Sequence, residues 1–211
     1  MGLGSKKLSV VLLLLLCLLS PIAGQNGLWY GDKSLKAGQI LIEAFFDPVC
    51  PDSRNSWPPL KEVLKYYGDR VKLITRLFPL PYHANAFVAS RAITIVNDVV
   101  STSSAYLLLE AFFNNQETFS GNSTFNLSRA VVTDRIVKFS SKAVGHSQSA
   151  IQSGFQNDET DYLTRVGFKQ GGIRGVYGTP QFFVNGFIFA EPGSAQNYST
   201  WRAVLDPLVS K

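Results

Sequence analysis

The chain has 211 residues, 45% hydrophobic and 17% charged, with 17 Gly, 10 Pro and only 2 Cys. That is enough for one sizeable core, and it excludes a disordered chain, a collagen-like repeat and a disulfide-dense mini-domain. The formal net charge is +5, but Lys and Arg are scattered in runs no longer than two, which describes a solvated surface rather than a nucleic-acid or anionic-membrane site.

Leu8 to Leu19 is an apolar stretch that follows Lys6 and Lys7 and ends at Ser20-Pro21-Ile22-Ala23-Gly24. A basic start, a short apolar middle and small residues near a cut predict a secretory signal peptide over residues 1–24. The stretch is short for a spanning helix, which needs ~20 apolar residues. Cleavage after Gly24 removes Cys17 and leaves Cys50 as the one cysteine. A secreted chain with a single thiol closes no internal disulfide, so its stability rests on an ordinary core. The last residues carry no KDEL-type signal. Secretion, or residence in the secretory lumen without a membrane anchor, is expected. Three sequons, at Asn122, Asn126 and Asn197, are candidate glycosylation sites in that setting.

Ile40 to Phe46 is nearly continuous in apolar character and is bounded by Gly38 and Pro48, as suits a strand buried on both faces. Pro51 then fits the first position of a helix running from Asp52 to Tyr67, while Pro58 and Pro59 predict a kink or break in it. Val71 to Phe78 alternates like a second strand. From His83 to Gly171 the pattern is helical: Ala86, Ala89, Ile93, Val96 and Val100 share one face, and Leu127, Ala130, Val137 and Val144 share another. Ala105 to Phe113 reads as a buried helix, and the polar Asn114 to Asn126 stretch as a turn-rich connection. Gln181 to Val184 and Phe187 to Ala190 flank Asn185-Gly186, a strong hairpin signal because both central residues of a type I′ turn need φ > 0. Trp201, Val204, Leu205 and Leu208 mark a C-terminal helix, with Pro207 expected to fray it.

The chemistry concentrates in Phe45-Phe46-Asp47-Pro48-Val49-Cys50-Pro51-Asp52-Ser53. A cysteine leaving a buried strand and starting a helix meets unpaired backbone N–H groups and the positive end of the helix dipole, which favour thiolate over thiol. Asp47 and Asp52 oppose that effect, and sequence does not sign the balance. The alternative for Cys50 is a small packed residue, since free cysteines are often buried and inert. Ser53 is a candidate for a hydrogen bond to the sulfur or for a helix cap.

This stretch, together with Tyr177-Gly178-Thr179-Pro180-Gln181-Phe182-Phe183-Val184-Asn185-Gly186 and with Phe78-Pro79-Leu80-Pro81-Tyr82-His83-Ala84-Asn85-Ala86, resembles the DsbA-like branch of the thioredoxin-fold family. The resemblance covers nearly the whole mature chain. It implies an α/β thioredoxin-like core, residues 25–82 and 172–211, with an all-helical insertion at 83–171. It also implies that Cys50 and Ser53 occupy the redox positions. Pro51, Thr179 and Pro180 would then contact an extended peptide, Pro180 being the cis-proline of the family, with backbone pairing as in strand addition.

Two departures follow from the same comparison. The second cysteine of the family's Cys-x-x-Cys is here Ser53, so a mixed disulfide at Cys50 would be released by an external thiol such as glutathione. Many members carry a buried acid six residues before the nucleophilic cysteine, where this chain has Ala44. Glu43 is one residue away, and strand alternation points it to the opposite face. The expected function is limited thiol–disulfide exchange on secretory protein clients with no bound cofactor, and the alternative is a redox-inactive peptide- or protein-binding module. A third reading, a glutathione transferase of the kappa type, meets two objections: that group starts its motif with serine and a signal peptide is unusual there. His83 and His146 are read as structural, no His/Cys/Asp/Glu cluster has metal-site spacing, and Gly171-Gly172-Ile173-Arg174-Gly175 lacks the ending of a phosphate loop.

Overall fold

The computed structural model describes residues 27–209, so the expected signal peptide and Cys17 lie outside the described residues. The strands are β1 (Leu28–Trp29), β2 (Ile40–Phe46), β3 (Val71–Leu77), β4 (Gln181–Val184) and β5 (Phe187–Phe189). The helices are α1 (Pro51–Tyr67), α2 (Ala86–Val99), α3 (Thr102–Asn114), α4 (Gly121–Thr124), α5 (Arg129–Val144), α6 (Gln148–Gly154), α7 (Asp158–Ile173) and α8 (Tyr198–Val209). The five strands form one mixed sheet in the order β1-β3-β2-β4-β5. β2 is central, parallel to β3 and antiparallel to β4. β1 was not visible in the sequence pattern. Two residues cannot show a period, and its place is fixed by pairing Leu28 and Trp29 with Thr75 and Ile74 and by the Tyr106 hydroxyl, which donates to the Leu28 carbonyl at 2.6 Å.

β2 is buried on both faces, as its continuous apolar run predicts. Ile42, Ala44 and Phe46 face the larger core with Trp57 and Leu60 of α1, Phe182, and Trp201 and Leu205 of α8. Phe45 on the other face joins a smaller cluster with Phe78, Leu80, Val176 and Phe183. α7 closes on this second face at Gly171, where a Cβ would meet the Phe78 ring at 2.5 Å and the Phe45 ring at 3.3 Å. The helix therefore runs unbroken across 171–172, the expected end of the helical insertion.

Of the kink or break expected at Pro58 and Pro59, the break does not occur. α1 continues through Pro58 and Pro59, and α8 continues through Pro207. Pro58 and Pro207 are exposed and Pro59 is half-buried, so the carbonyls that lose an intrahelical donor lie towards solvent and water can satisfy them. α3 also differs from a helix buried all round: Leu107 is exposed, and Glu110 accepts from the Trp57 indole N–H at 2.8 Å and pairs with Lys61 at 2.9 Å. The Asn185-Gly186 hairpin has φ values of 50° and 85°, the left-handed pair that its sequence calls for.

Glu43 is buried on the face opposite Ala44, as alternation predicts, but it is not idle there. Arg174 Nη1 reaches both of its carboxylate oxygens, at 2.6 and 2.7 Å, and Arg76 Nε lies 3.2 Å away. Arg174 also lies over the Phe183 ring at 4.3 Å. Burial pulls the Arg76 guanidinium below its ordinary pKa, and the adjacent Glu43 carboxylate opposes that shift. Removing one partner of a buried ion group costs far more than the group contributes net, because the remaining charges stay desolvated. Glu43→Ala is therefore expected to destabilise the protein by about 3–5 kcal/mol. Equilibrium urea unfolding followed by tryptophan fluorescence checks this, and an unchanged midpoint refutes it.

Candidate functional site

Cys50 sits between β2 and α1 as the residue preceding the first helical turn, with φ −82° and ψ 124° and with Pro51 at the first helical position. The thiol is only 2% exposed. Its Sγ donates to the Thr179 carbonyl at 3.2 Å, joining segments 129 residues apart. The Thr179-Pro180 peptide bond is cis. Pro180 begins no strand itself but leads directly into β4, whose pairing with β2 brings Gln181 opposite Phe45. The backbone geometry of the two sequence motifs thus places Cys50, Thr179 and Pro180 together, with Pro51 exposed beside them.

Ser53 does neither of the two things expected of it. Its hydroxyl is fully buried and accepts the Asp47 backbone N–H at 3.3 Å, and no side chain caps α1. Asp47, in turn, is fully buried. Its Oδ1 accepts from Val49 N–H at 2.9 Å, and its Oδ2 accepts from Leu80 N–H at 3.0 Å. His83 Nδ1 lies 2.8 Å from the same Oδ2. The Asp47 carbonyl accepts from Cys50 N–H at 3.1 Å. His83 thus has a partner that spacing could not reveal, since the two residues are 36 apart. It precedes α2 rather than beginning it.

Gln116 is the site residue that the sequence reading missed altogether. It reaches in from the short 3₁₀ turn Gln116–Phe119, and its amide N–H donates to the Cys50 carbonyl at 2.8 Å and to the Pro48 carbonyl at 3.2 Å. No local signal marks it, because a single Gln in a polar, turn-rich stretch looks solvated. Three polar groups in this region are buried without a hydrogen-bond partner: the Gln116 Oε1, the Thr179 hydroxyl and the Gln181 amide. Buried polar atoms normally find partners, so these three are exceptions in the interior around the site.

The three sequon asparagines are exposed. Asn122 lies in α4, Asn126 just after it, and Asn197 immediately before α8, where its Oδ1 accepts from Thr200 N–H at 2.9 Å. His146 follows the left-handed Gly145 that ends α5, and its carbonyl accepts from the Ser141 hydroxyl. Among the described residues no group of His, Cys, Asp and Glu is placed to hold a metal ion. No helix of the described residues is long and apolar enough to cross a membrane.

The family model described as thioredoxin matches residues 25–207. Among solved structures, a candidate protein-disulfide isomerase from Pseudomonas syringae is similar with a TM-score of 0.71 at 22% identity, covering 83% of this chain and 96% of its own. Alpha-DsbA1 from Wolbachia pipientis gives 0.67 at 19% identity, covering 92% and 94%. A periplasmic thioredoxin-like protein from Salmonella enterica serovar Typhimurium gives 0.64 at 16%, covering 88% and 91%. At these identities the likeness is one of fold. No curated protein sequence matches significantly.

A thiol buried this well should react slowly. Labelling of Cys50 by a chromogenic disulfide reagent is expected to be at least about tenfold slower in the native protein than in denaturant, and equal rates would refute the burial. Asp47→Ala strands the Val49 and Leu80 N–H groups, so it should cost about 2–4 kcal/mol in urea unfolding and speed the labelling.

Proposed function

This chain belongs to the thioredoxin family, and we propose that within it the protein is a DsbA-like, single-thiol exchange protein acting on secretory clients. The contact between Cys50 Sγ and the Thr179 carbonyl carries this reading. It puts the one thiol against the backbone of the loop that an extended peptide would pair with.

As the client strand docks, the Cys50 thiol gives up its hydrogen bond to the Thr179 carbonyl and loses its proton to solvent, leaving the thiolate as nucleophile. Cys50 sulfur attacks one sulfur of a client disulfide or of a client–glutathione adduct. The old S–S bond breaks, a Cys50 mixed disulfide forms, and the other sulfur leaves as thiolate. Ser53 offers no second thiol, so a second client thiolate, or a glutathione thiolate, must attack the client-side sulfur of the mixed disulfide, forming the new S–S bond there and returning Cys50 as thiolate. No net oxidation occurs at the protein, which fits isomerisation or adduct transfer rather than disulfide donation. Pro51 and Pro180 shape the approach of the peptide, and Thr179 supplies backbone pairing once the thiol has let go of its carbonyl. A secretory location, with glycans on Asn122, Asn126 and Asn197, completes this reading.

The second reading, a binding module without turnover, draws on the burial of Cys50. The two separate cleanly. Oxidised glutathione should add one glutathionyl group to the wild type and none to Cys50→Ser, read by intact mass. Isomerase activity on a scrambled disulfide substrate should vanish in the same variant. Client binding that survives Cys50→Ser but weakens on changing Thr179 or Pro180, with no adduct in the wild type, would establish the binding module instead. Ser53→Cys restores a second thiol at a buried position that cysteine fits, and should yield a protein that loses two hydrogens on oxidation and then transfers the disulfide to clients.

A further inference from the structure

On the helical side of the molecule, an open groove of about 940 Å³ lies between the Pro79–Asn85 loop and helices α2, α5 and α7. That volume falls in the usual range of small-molecule sites, about 300–1,000 Å³. Its lining does not include Cys50, Thr179 or Pro180. The floor and rim are apolar, with Phe87, Leu127, Phe125 and Phe168 among the lining residues. Phe125 is 85% exposed and adds apolar surface to this lining.

The charge on the lining has one sign. Arg129, Arg165 and Lys169 contribute cations, and no Asp or Glu lines the groove. Arg165 is paired with Asp161 and lies over the Phe87 ring at 5.4 Å. Asp161 also attracts Arg129 at longer range. Neither Arg129 nor Lys169 makes an ion pair with any described residue within 4.0 Å, and both are exposed.

Two of the polar side chains on the lining, Asn85 and Thr124, are already engaged. Asn85 Nδ2 donates to the Phe119 carbonyl and to the Thr124 hydroxyl, and that hydroxyl donates to the Ser120 carbonyl. An occupant complementary to this lining is apolar along the Phe87, Leu127 and Phe168 side chains and anionic at one end. We propose that this groove binds a free amphiphilic carboxylate of the fatty-acid class, its tail along the Phe87, Leu127 and Phe168 side chains and its head between Arg129 and Lys169. The site is independent of Cys50 and stands whether or not the thiol exchanges.

Titration calorimetry of the purified protein with dodecanoate, below its micelle concentration, tests this. One site is expected, with affinity about tenfold lower in the Arg129→Ala/Lys169→Ala double variant and falling with added salt, as two screened ion contacts would give. Both substituted residues are exposed, so an unchanged thermal midpoint will certify the fold of the variant, and Phe125→Ala should weaken binding without altering its salt dependence. Dodecanol binding as tightly as dodecanoate overturns the proposal, as does equal affinity in the double variant. So does binding of anionic phospholipid vesicles or of an acidic peptide with none of free dodecanoate. Dodecanoate binding only to Asn122→Gln would show that a glycan on that rim residue fills the groove, and would also overturn it.

Discussion

A fully buried carboxylate has to satisfy both oxygens inside the protein, and Asp47 does so with groups from three segments. Val49 N–H comes from the turn ahead of Cys50, Leu80 N–H from the loop after β3, and His83 from the approach to α2. The Asp47 backbone contributes as well, giving its N–H to Ser53 and taking the Cys50 N–H on its carbonyl. The start of α1 is therefore fixed to the end of β2 and to the β3 exit loop through a single residue. Gln116 adds a tether from the helical block onto the Cys50 and Pro48 carbonyls. With the strand exit, the loop and the helix start all held, the position of the Cys50 sulfur follows.

The opposite wall of the site is held in a comparable way from the other face of the sheet. Glu43 clamps Arg174 just past the end of α7, and Val176 is buried in the smaller core. Only a few residues later Thr179 meets Cys50. The connection from Arg174 to Pro180 is thus anchored at both ends and in the middle, while Tyr177 within it stays largely exposed. Thr179 and Pro180 at its far end are buried beside the thiol, so the exposed part of the connection is confined to its middle. The ion group acts through this loop and touches no reacting atom.

What the sequence revealed depended on whether a feature had a local signature. The buried β2 run, the Asn185-Gly186 hairpin and the cysteine at a helix start each announce themselves within about ten residues, and with the two separated motifs they were enough for the fold. The features missed are pairings between distant polar residues. His83 and Asp47 are 36 residues apart, Gln116 and Cys50 are 66 apart, and Arg174 and Glu43 are 131 apart. No period or spacing encodes such contacts, since the partners are far apart in the chain and neither one names the other. The continuity of the helix through Pro58 and Pro59 has another source. Pro58, Pro59 and Pro207 were judged by their missing N–H, but the cost depends on whether the freed carbonyls face water, and only packing decides that.

Ser53 is a fixed part of the scaffold around Cys50. Its hydroxyl accepts the N–H of Asp47, the residue whose carboxylate organises the site, so the position contributes to holding the thiol rather than to resolving its disulfides. Under the exchange reading, a mixed disulfide at Cys50 then lasts until an external thiol arrives, because no neighbouring sulfur competes for it. Binding and exchange cease to be exclusive alternatives on that timescale. A client held by backbone pairing at Thr179 and by one covalent bond at Cys50 is retained in proportion to how little free thiol surrounds it. In an oxidising compartment the protein would then behave mainly as a binder, and exchange would emerge as the supply of small thiols rises.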